Sequence, residues 1–182
     1  MELNELSQEQ EKKLIELIKE GSIFIYPTDT IYGLGCNALD EGAVKKVREI
    51  KSRDKDKPLS VIAPSKEWIL NNLETTLGFI DKYLPGPYTL ILKKKNPDFL
   101  KHVSASETLG VRIPDHEFTK IIQKAEVPFI TTSINLAGEK FALSPEEIKS
   151  EILEEVDIIV NDGPLEGTPS TIILQDGKEL KR

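Results

Sequence analysis

Residues 23–35 read Ile-Phe-Ile-Tyr-Pro-Thr-Asp-Thr-Ile-Tyr-Gly-Leu-Gly. The first four residues are β-branched or aromatic, which predicts a buried strand over residues 23–26. The hydroxyls of Thr28 and Thr30 follow directly, and two glycines beyond them permit a close approach of the backbone. From spacing alone, these hydroxyls fit a functional strand exit and ordinary turn capping equally well.

Apolar spacing on both sides of this stretch alternates between helix and strand. Ser7 and Gln10 predict a capping box for a helix that ends at Gly21. Asp40 predicts the start of a second helix with apolar residues on one face. Further strands are predicted over 59–63, 88–92, 109–113, 129–132, 158–160, 171–174 and 178–180, and further helical segments over 75–84 and from Ser65, Asp115 and Ser144.

This order of elements predicts an α/β (α+β) fold in which helices cover one mixed sheet. A chain of 182 residues can bury one core and is short for two full domains. No repeat, low-complexity tract or long linker interrupts the pattern. We therefore expect a single domain over residues 1–182.

The net charge is negative and unevenly distributed. Lys plus Arg number 24 against 31 Asp plus Glu, a net charge of −7, which disfavours a general polyanion-binding surface. Residues 45–57 nevertheless hold seven cations and three acids, whereas residues 139–166 hold nine acids and two lysines. The basic segment therefore stands out against an acidic background.

Cysteine and histidine are scarce. Cys36 is the one cysteine, and His102 and His116 show no metal-ligand spacing, so neither an internal disulfide nor a structural zinc site is expected. The N-terminus does not have the pattern of a signal peptide, and no apolar run approaches the ~20 residues that span a bilayer. We expect a cytoplasmic protein with no membrane partner.

The basic segment ends in Lys-Ser-Arg-Asp-Lys-Asp-Lys-Pro, residues 51–58, with four cations in seven residues. Cations this dense on a loop can converge on one anion, and a triphosphate is the first candidate. A solvated charged loop is the alternative.

Two later segments are also polar where apolar residues are expected. Arg112 interrupts an apolar strand, and a buried arginine needs a carboxylate, a phosphate or solvent. Ser133 and Asn135 follow another strand and fit either ligand binding or capping. The chain contains neither a Ser-His-Asp pattern nor a glycine-rich Walker loop. Taken singly, none of these segments identifies a reaction.

Taken in order, the segments resemble a known family. Six motifs carry the resemblance, which spans about residues 12–182: Pro27 to Leu34, Lys51-x-Arg53 with Lys57-Pro58-Leu59, Pro85 to Leu90, Val111 to His116, Ser133-x-Asn135 with Ala137-Gly138, and Pro169 to Ile172. Together they look like the YrdC family of threonylcarbamoyl-AMP synthases.

The resemblance implies a YrdC-like twisted mixed β-sheet around a basic cavity. It implies a nucleotidyltransferase that converts L-threonine, bicarbonate and ATP into threonylcarbamoyl-AMP and pyrophosphate, with Mg²⁺ on the triphosphate. The product would feed t6A37 modification of tRNA. Possible partners are therefore tRNA itself and the tRNA threonylcarbamoyl-transfer machinery.

Site residues follow from the same resemblance. Lys51 and Arg53 would be catalytic, because cations must neutralise the carbamate and α-phosphate before these anions can meet. The resemblance also implies binding residues for each substrate. ATP would bind at Lys51, Arg53, Lys57, Thr108, Ser133, Asn135 and Arg182, and threonine at Thr30, Arg112, Ser133 and Ser170.

The chain departs from the family pattern near the amino-acid site. Many members carry a histidine shortly after the Pro-Leu pair, whereas this stretch continues Ser60-Val61-Ile62-Ala63. The sequence leaves open whether Ile62 alters amino-acid choice. From its length, we expect a minimal version of the family without the extra C-terminal domain of longer members.

Two alternative functions remain open. One is a YrdC-like RNA-binding protein without synthase activity, against which the net charge of −7 argues. The other is a carbamoyl-adenylate step, as in the YrdC-like domain of hydrogenase maturation carbamoyltransferases. Those longer proteins carry zinc-finger cysteines, which this chain does not have.

Overall fold

The computed structural model describes residues 1–52, 57–135 and 141–180. Within these ranges nine strands form one sheet in the order β7-β1-β2-β6-β3-β5-β4-β8-β9. Their bounds are β1 Phe24–Tyr26, β2 Gly33–Gly35, β3 Ser60–Ile62, β4 Tyr88–Lys93, β5 Thr108–Arg112, β6 Phe129–Ser133, β7 Ile158–Ile159, β8 Thr171–Leu174 and β9 Glu179–Leu180.

The sheet is mixed. Strand β1 pairs in parallel with β7, β3 with β5, and β4 with β8, while the remaining neighbours pair antiparallel. Strands β8 and β9 form a hairpin at one edge. The predicted fold class is confirmed.

Helices pack on both faces of this sheet. Their bounds are α1 Gln8–Lys19, α2 Glu41–Ile50, α3 Lys66–Asn72, α4 Leu77–Asp81, α5 Glu117–Ala125 and α6 Ser150–Leu153, with 3-10 turns at Leu3–Glu5 and Pro145–Glu147. The predicted caps at Ser7, Asp40 and Ser65 accept the expected backbone N–H groups. Among the described residues, no helix combines the length and apolarity needed to cross a bilayer.

The two sheet faces are buried by different helices. On one face, helices α2, α3 and α4 contribute Val44, Ile69 and Ile80 to the larger core cluster. On the other face, helices α1 and α5 pack on an aromatic group around Phe24, Tyr26, Phe118 and Phe129, with ring centroids 5.1–6.4 Å apart. This second cluster covers the part of that sheet face formed by β1, by Phe129 of β6 and by Ile62 of β3.

Two local predictions differ from the structure. Strand β2 was expected to be part of a polar strand exit, but Gly33–Gly35 pairs with both β1 and β6. The strong helix start at Ser144 produces only the short 3-10 turn, because Ser144 makes no capping hydrogen bond and the chain is extended at Ile148. Glu147 instead accepts the Leu143 N–H at 2.7 Å.

Strand β2 depends on a glycine at its end. A Cβ on Gly35 would lie 1.9 Å from the Ile130 carbonyl oxygen and 2.9 Å from the Phe129 ring. We expect Gly35→Ala to lower the free energy of unfolding by about 1–3 kcal/mol, because strands β2 and β6 must separate. Urea denaturation measures this value.

Gly78→Ala is the matched control. A Cβ there would meet no atom within 4 Å, and helix α4 favours alanine. Equal stability changes for the two variants would contradict close packing of β2 on β6.

Candidate active site

A cleft lies over the part of the sheet that helices α1 and α5 leave uncovered. Side chains alternate between faces along a strand, so Phe129, Thr131 and Ser133 of β6 share one face. Phe129 belongs to the aromatic cluster, and Thr131 and Ser133 line the cleft. On β3, Ile62 lies in the same cluster and Ser60 lines the cleft. These strands therefore change from apolar to hydroxyl-bearing beneath the opening.

The cleft has a narrow and a wide compartment. The narrow compartment is lined by Thr28, Ile31, Tyr32, Gly33, Ser60, Thr89, Arg112, Thr131, Thr132, Ser133, Pro169 and Ser170. The wide compartment has a volume of about 450 Å³ and is lined by Pro58, Leu59, Ser60, Ile91, Ser104, Thr108, Gly110, Thr131, Thr132, Ser133 and Ile172. The compartments meet at the residues they share, Ser60, Thr131, Thr132 and Ser133.

A turn after β1 forms one end of the narrow compartment. The Thr28 hydroxyl donates to the Ile31 carbonyl at 2.7 Å and accepts the backbone N–H groups of Thr30 and Ile31. The Thr28 and Thr30 hydroxyl oxygens lie 2.9 Å apart. The turn is thus self-capped, and Thr30 lies behind the lining residue Thr28.

Arg112 forms a buried ion pair on this turn. Its Nη2 lies 2.5 Å from Oδ1 of Asp29, and the two side chains are only 7% and 10% exposed. The second carboxylate oxygen of Asp29 accepts the Asp115 N–H at 3.0 Å. Arg112 also donates to the Thr30 hydroxyl at 3.3 Å. The carboxylate that a buried arginine requires therefore comes from within the chain, and it fixes the guanidinium beside the cleft.

Lys51 reaches the end of β6 from the end of helix α2. Its buried ammonium group donates to the Ser133 carbonyl at 2.5 Å, to the Asn135 side-chain oxygen at 2.7 Å and to the Asn135 carbonyl. The Ser133 hydroxyl donates to the same Asn135 side-chain oxygen at 2.7 Å. One hydrogen-bonded group therefore joins Lys51 to Ser133 and Asn135, which lie more than 80 residues further along the chain.

Other predicted ATP-binding residues are distributed differently. Thr108 lines the wide compartment, and its carbonyl accepts the Ser104 hydroxyl at 2.8 Å. The Lys57 side chain is exposed, and its carbonyl accepts from the buried Arg48 at 2.7 Å. Arg53 and Arg182 lie outside the described residues, as do Ala137 and Gly138.

A segment without regular structure, residues 163–170, closes the narrow compartment. The Tyr32 hydroxyl holds its start by donating to the Gly163 carbonyl at 2.8 Å. Its end is held by Ser170, whose hydroxyl lies 2.8 Å from that of Thr89. Between them, a Cβ on Gly167 would lie 1.8 Å from the Thr30 carbonyl oxygen, so only glycine fits this approach.

The lining of the cleft is less basic than the cavity that the family resemblance implies. Among the described lining residues, Arg112 is the one charged side chain, and Asp29 balances it. Most other polar lining groups are hydroxyls. Of the expected cations, Lys51 lies behind the lining, Lys57 is exposed, and Arg53 lies outside the described part of the chain.

Sequence reasoning named Thr28 without assigning it to a ligand and missed the lining hydroxyls of Ser60, Thr89 and Thr131. The available signal was the alternation along predicted strands, which places Thr131 on the face of Ser133. Ile62 does not line either compartment and lies buried beside the aromatic rings.

Burial raises the pKa of the Tyr26 hydroxyl and of the Cys36 thiol above their ordinary values. Both groups therefore stay protonated at neutral pH. Cys36 is a free, buried cysteine within the main core cluster.

Comparison with known proteins assigns the family. The Sua5/YciO/YrdC model, whose descriptive name is telomere recombination, matches residues 16–181. The chain belongs to the Sua5/YciO/YrdC family. The resemblance noted in the sequence is confirmed.

Three members of the Sua5/YciO/YrdC family are informative. A Methanocaldococcus jannaschii protein, provisionally named threonylcarbamoyl-AMP synthase, is 40% identical over 98% of this chain and 88% of its own length. Pyrococcus abyssi Sua5, solved in complex with L-threonine, is 31% identical with a TM-score of 0.81, covering 94% of this chain and 52% of that one. This chain therefore spans about half the length of P. abyssi Sua5.

The third is Escherichia coli YciO, whose name describes it as uncharacterized. It is 31% identical over 87% of this chain and 80% of its own length. Its crystal structure superposes with a TM-score of 0.80. Similarity within this family thus extends to a protein whose name states no activity.

The Asp29–Arg112 pair provides a stability test. Asp29→Ala leaves a buried guanidinium without its carboxylate, so we expect the free energy of unfolding to fall by about 3–5 kcal/mol. Asp98→Ala removes the acid of an exposed pair with Lys101 and should change it by at most about 1 kcal/mol. A loss at Asp29 no larger than at Asp98 would show that Arg112 does not depend on this contact.

Proposed function

We propose that the protein is an L-threonylcarbamoyladenylate synthase, a nucleotidyltransferase that forms threonylcarbamoyl-AMP and pyrophosphate from L-threonine, bicarbonate and ATP. The observation that carries the proposal is the pair of compartments that meet at four shared residues. A reaction that joins an amino-acid derivative to a nucleotide needs two such sites with a common boundary.

The wide compartment suits ATP. Its volume of about 450 Å³ falls in the range of small-molecule sites. Ile91 and Ile172 supply apolar surface for a base, and Ser104 and Thr108 supply hydrogen-bonding groups. Assignment of the phosphates to Lys51, Arg53, Lys57, Ser133, Asn135 and Arg182 remains a prediction.

We assign the amino acid to the narrow compartment, which has to widen to admit it because its volume here is about 20 Å³. Arg112 offers a cation held in place by Asp29, and Ser133 and Ser170 offer hydroxyls, with Thr30 directly behind. A relative with the same fold was solved with L-threonine bound. We assign the threonine carboxylate to Arg112 and its polar groups to the surrounding hydroxyls.

In this reaction the protein has to position the substrates and neutralise their negative charge. Bicarbonate takes up a proton and loses water to give carbon dioxide, and the threonine amine attacks this carbon dioxide and releases a proton, so the two protons balance. A carbamate oxygen then attacks the α-phosphorus of ATP. The bond from the α-phosphorus to the bridging oxygen breaks, and pyrophosphate leaves with that electron pair. Two anions must approach each other, so fixed cations and N–H or O–H donors near the boundary lower the barrier.

Further parts of the proposal concern cofactor, compartment and domain. We assign Mg²⁺ to the triphosphate itself, since the described residues contain no group of three or more His, Cys, Asp or Glu that could hold a metal. We propose a cytoplasmic protein with one domain over residues 1–182. Its product would serve t6A37 modification of tRNA.

The similarity to YciO favours testing one alternative, an RNA-binding protein without synthase activity. A net charge of −7 disfavours it, because phosphate backbones bind to clustered cations. Salt-dependent tRNA binding without nucleotide turnover would support this alternative.

The proposed reaction predicts that pyrophosphate release requires threonine. Purified protein, ATP, Mg²⁺ and bicarbonate are incubated with threonine, serine or glycine, and the acyl-adenylate is identified by mass spectrometry. We expect threonylcarbamoyl-AMP only with threonine and bicarbonate present. Absence of any acyl-adenylate under all three conditions would refute the synthase assignment.

The proposed function also predicts that activity depends on Lys51. Lys51→Ala removes the ammonium group that three oxygens of Ser133 and Asn135 accept from. Contacts of a charged group are worth about 1.5–3 kcal/mol each, so we expect threonine-dependent pyrophosphate release to fall at least about tenfold.

Lys45→Ala is the control, because Lys45 is 70% exposed on the same helix and pairs only with Glu49. Its rate should match the wild type. Undiminished activity of Lys51→Ala would count against a role for this group.

A further inference from the structure

The boundary between the two compartments contains a hydroxyl that the family resemblance did not assign. Ser60 is half-buried at the start of β3 and lines both compartments. Its backbone pairs with Gly110 of β5 on one side and Thr131 of β6 on the other. Ser60 therefore lies on rigid strands in the middle of the sheet.

The other shared residues use their side chains elsewhere. The Thr131 side chain lies beside the Tyr26 hydroxyl, and the Ser133 hydroxyl donates to Asn135. Thr132 alternates to the opposite face, where its partner Leu34 belongs to the main core. Within the described part of the chain, the Ser60 hydroxyl donates no hydrogen bond to a protein group.

The space for this hydroxyl is provided by a glycine. A Cβ on Gly110 would lie 2.3 Å from the Ser60 hydroxyl oxygen and 3.1 Å from its Cβ. Any larger residue at position 110 would displace the hydroxyl from the boundary. Glycine at position 110 is therefore required by the space in the cleft and not by a backbone turn.

We infer that the Ser60 hydroxyl donates a hydrogen bond to the anionic oxygen at which the carbamate and the α-phosphate of ATP are joined, an assignment that rests on the proposed function. Negative charge concentrates at this boundary as the new bond to phosphorus forms. Ser60 neither gains nor loses a proton, because pyrophosphate leaves as an anion. It acts as a fixed donor at the point of contact between the substrates.

The test separates kcat from KM in Ser60→Ala. A donor that acts mainly in the transition state predicts a fall in kcat of roughly 10- to 100-fold. The KM values for threonine and for ATP should each change less than about threefold. Thermal denaturation should give a Tm close to that of the wild type, and Ser150→Ala, an exposed serine on α6, should change nothing.

Gly110→Ala supplies an independent variant. It should lower kcat in the wild type and lower it much less in the Ser60→Ala background, since the displaced hydroxyl is already absent. Equal effects in both backgrounds would overturn the link between the two residues.

Two results would overturn the role of Ser60 while leaving the synthase intact. One is a Ser60→Ala variant with the kcat of an active wild type. The other is a change confined to one KM, which would place the hydroxyl in a single compartment. Absence of threonine-dependent turnover in the wild type itself would instead overturn the proposed function, and the role of Ser60 with it.

Discussion

The cleft depends on a change of side-chain chemistry along individual strands. On β6 the same face carries Phe129, then Thr131 and Ser133, and on β3 it carries Ile62 and then Ser60. The apolar ends pack under helices α1 and α5, where burial of aromatic rings stabilises the fold. The apolar cluster ends where the hydroxyls begin, and the cleft opens there. The uncovered part of the sheet is the floor of the site.

The charged groups around this floor are fixed before any substrate arrives. Asp29 and Thr30 hold Arg112, and Ser133 and Asn135 hold Lys51. Fixed donors lose little freedom when a substrate binds, and they need no rearrangement as charge develops. This arrangement suits a reaction in which the substrates supply the nucleophile and the leaving group. Such a reaction needs no activated protein side chain.

Much of the fold could be predicted from local sequence. Ser7, Asp40 and Ser65 each begin a helix, because a short polar side chain satisfies N–H groups within its own turn. Most strands were evident from runs of β-branched and aromatic residues. Strand β2 was missed, because Gly33 and Gly35 have low strand propensity. Their pairing depends on close packing of Gly33 against Tyr26 of β1 and of Gly35 against Ile130 of β6.

The sequence by itself determined which residues carry chemistry: an arginine on an apolar strand, a dense basic loop and hydroxyl runs at strand ends. Only the tertiary structure decided the partners of these residues, such as Asp29 for Arg112 and Asn135 for Lys51. Partners more than 80 residues apart meet through the strand order of the sheet, which no local spacing encodes. The same long-range pairing set Ser60 beside Gly110 and Thr131, and so placed an available hydroxyl where the two compartments meet.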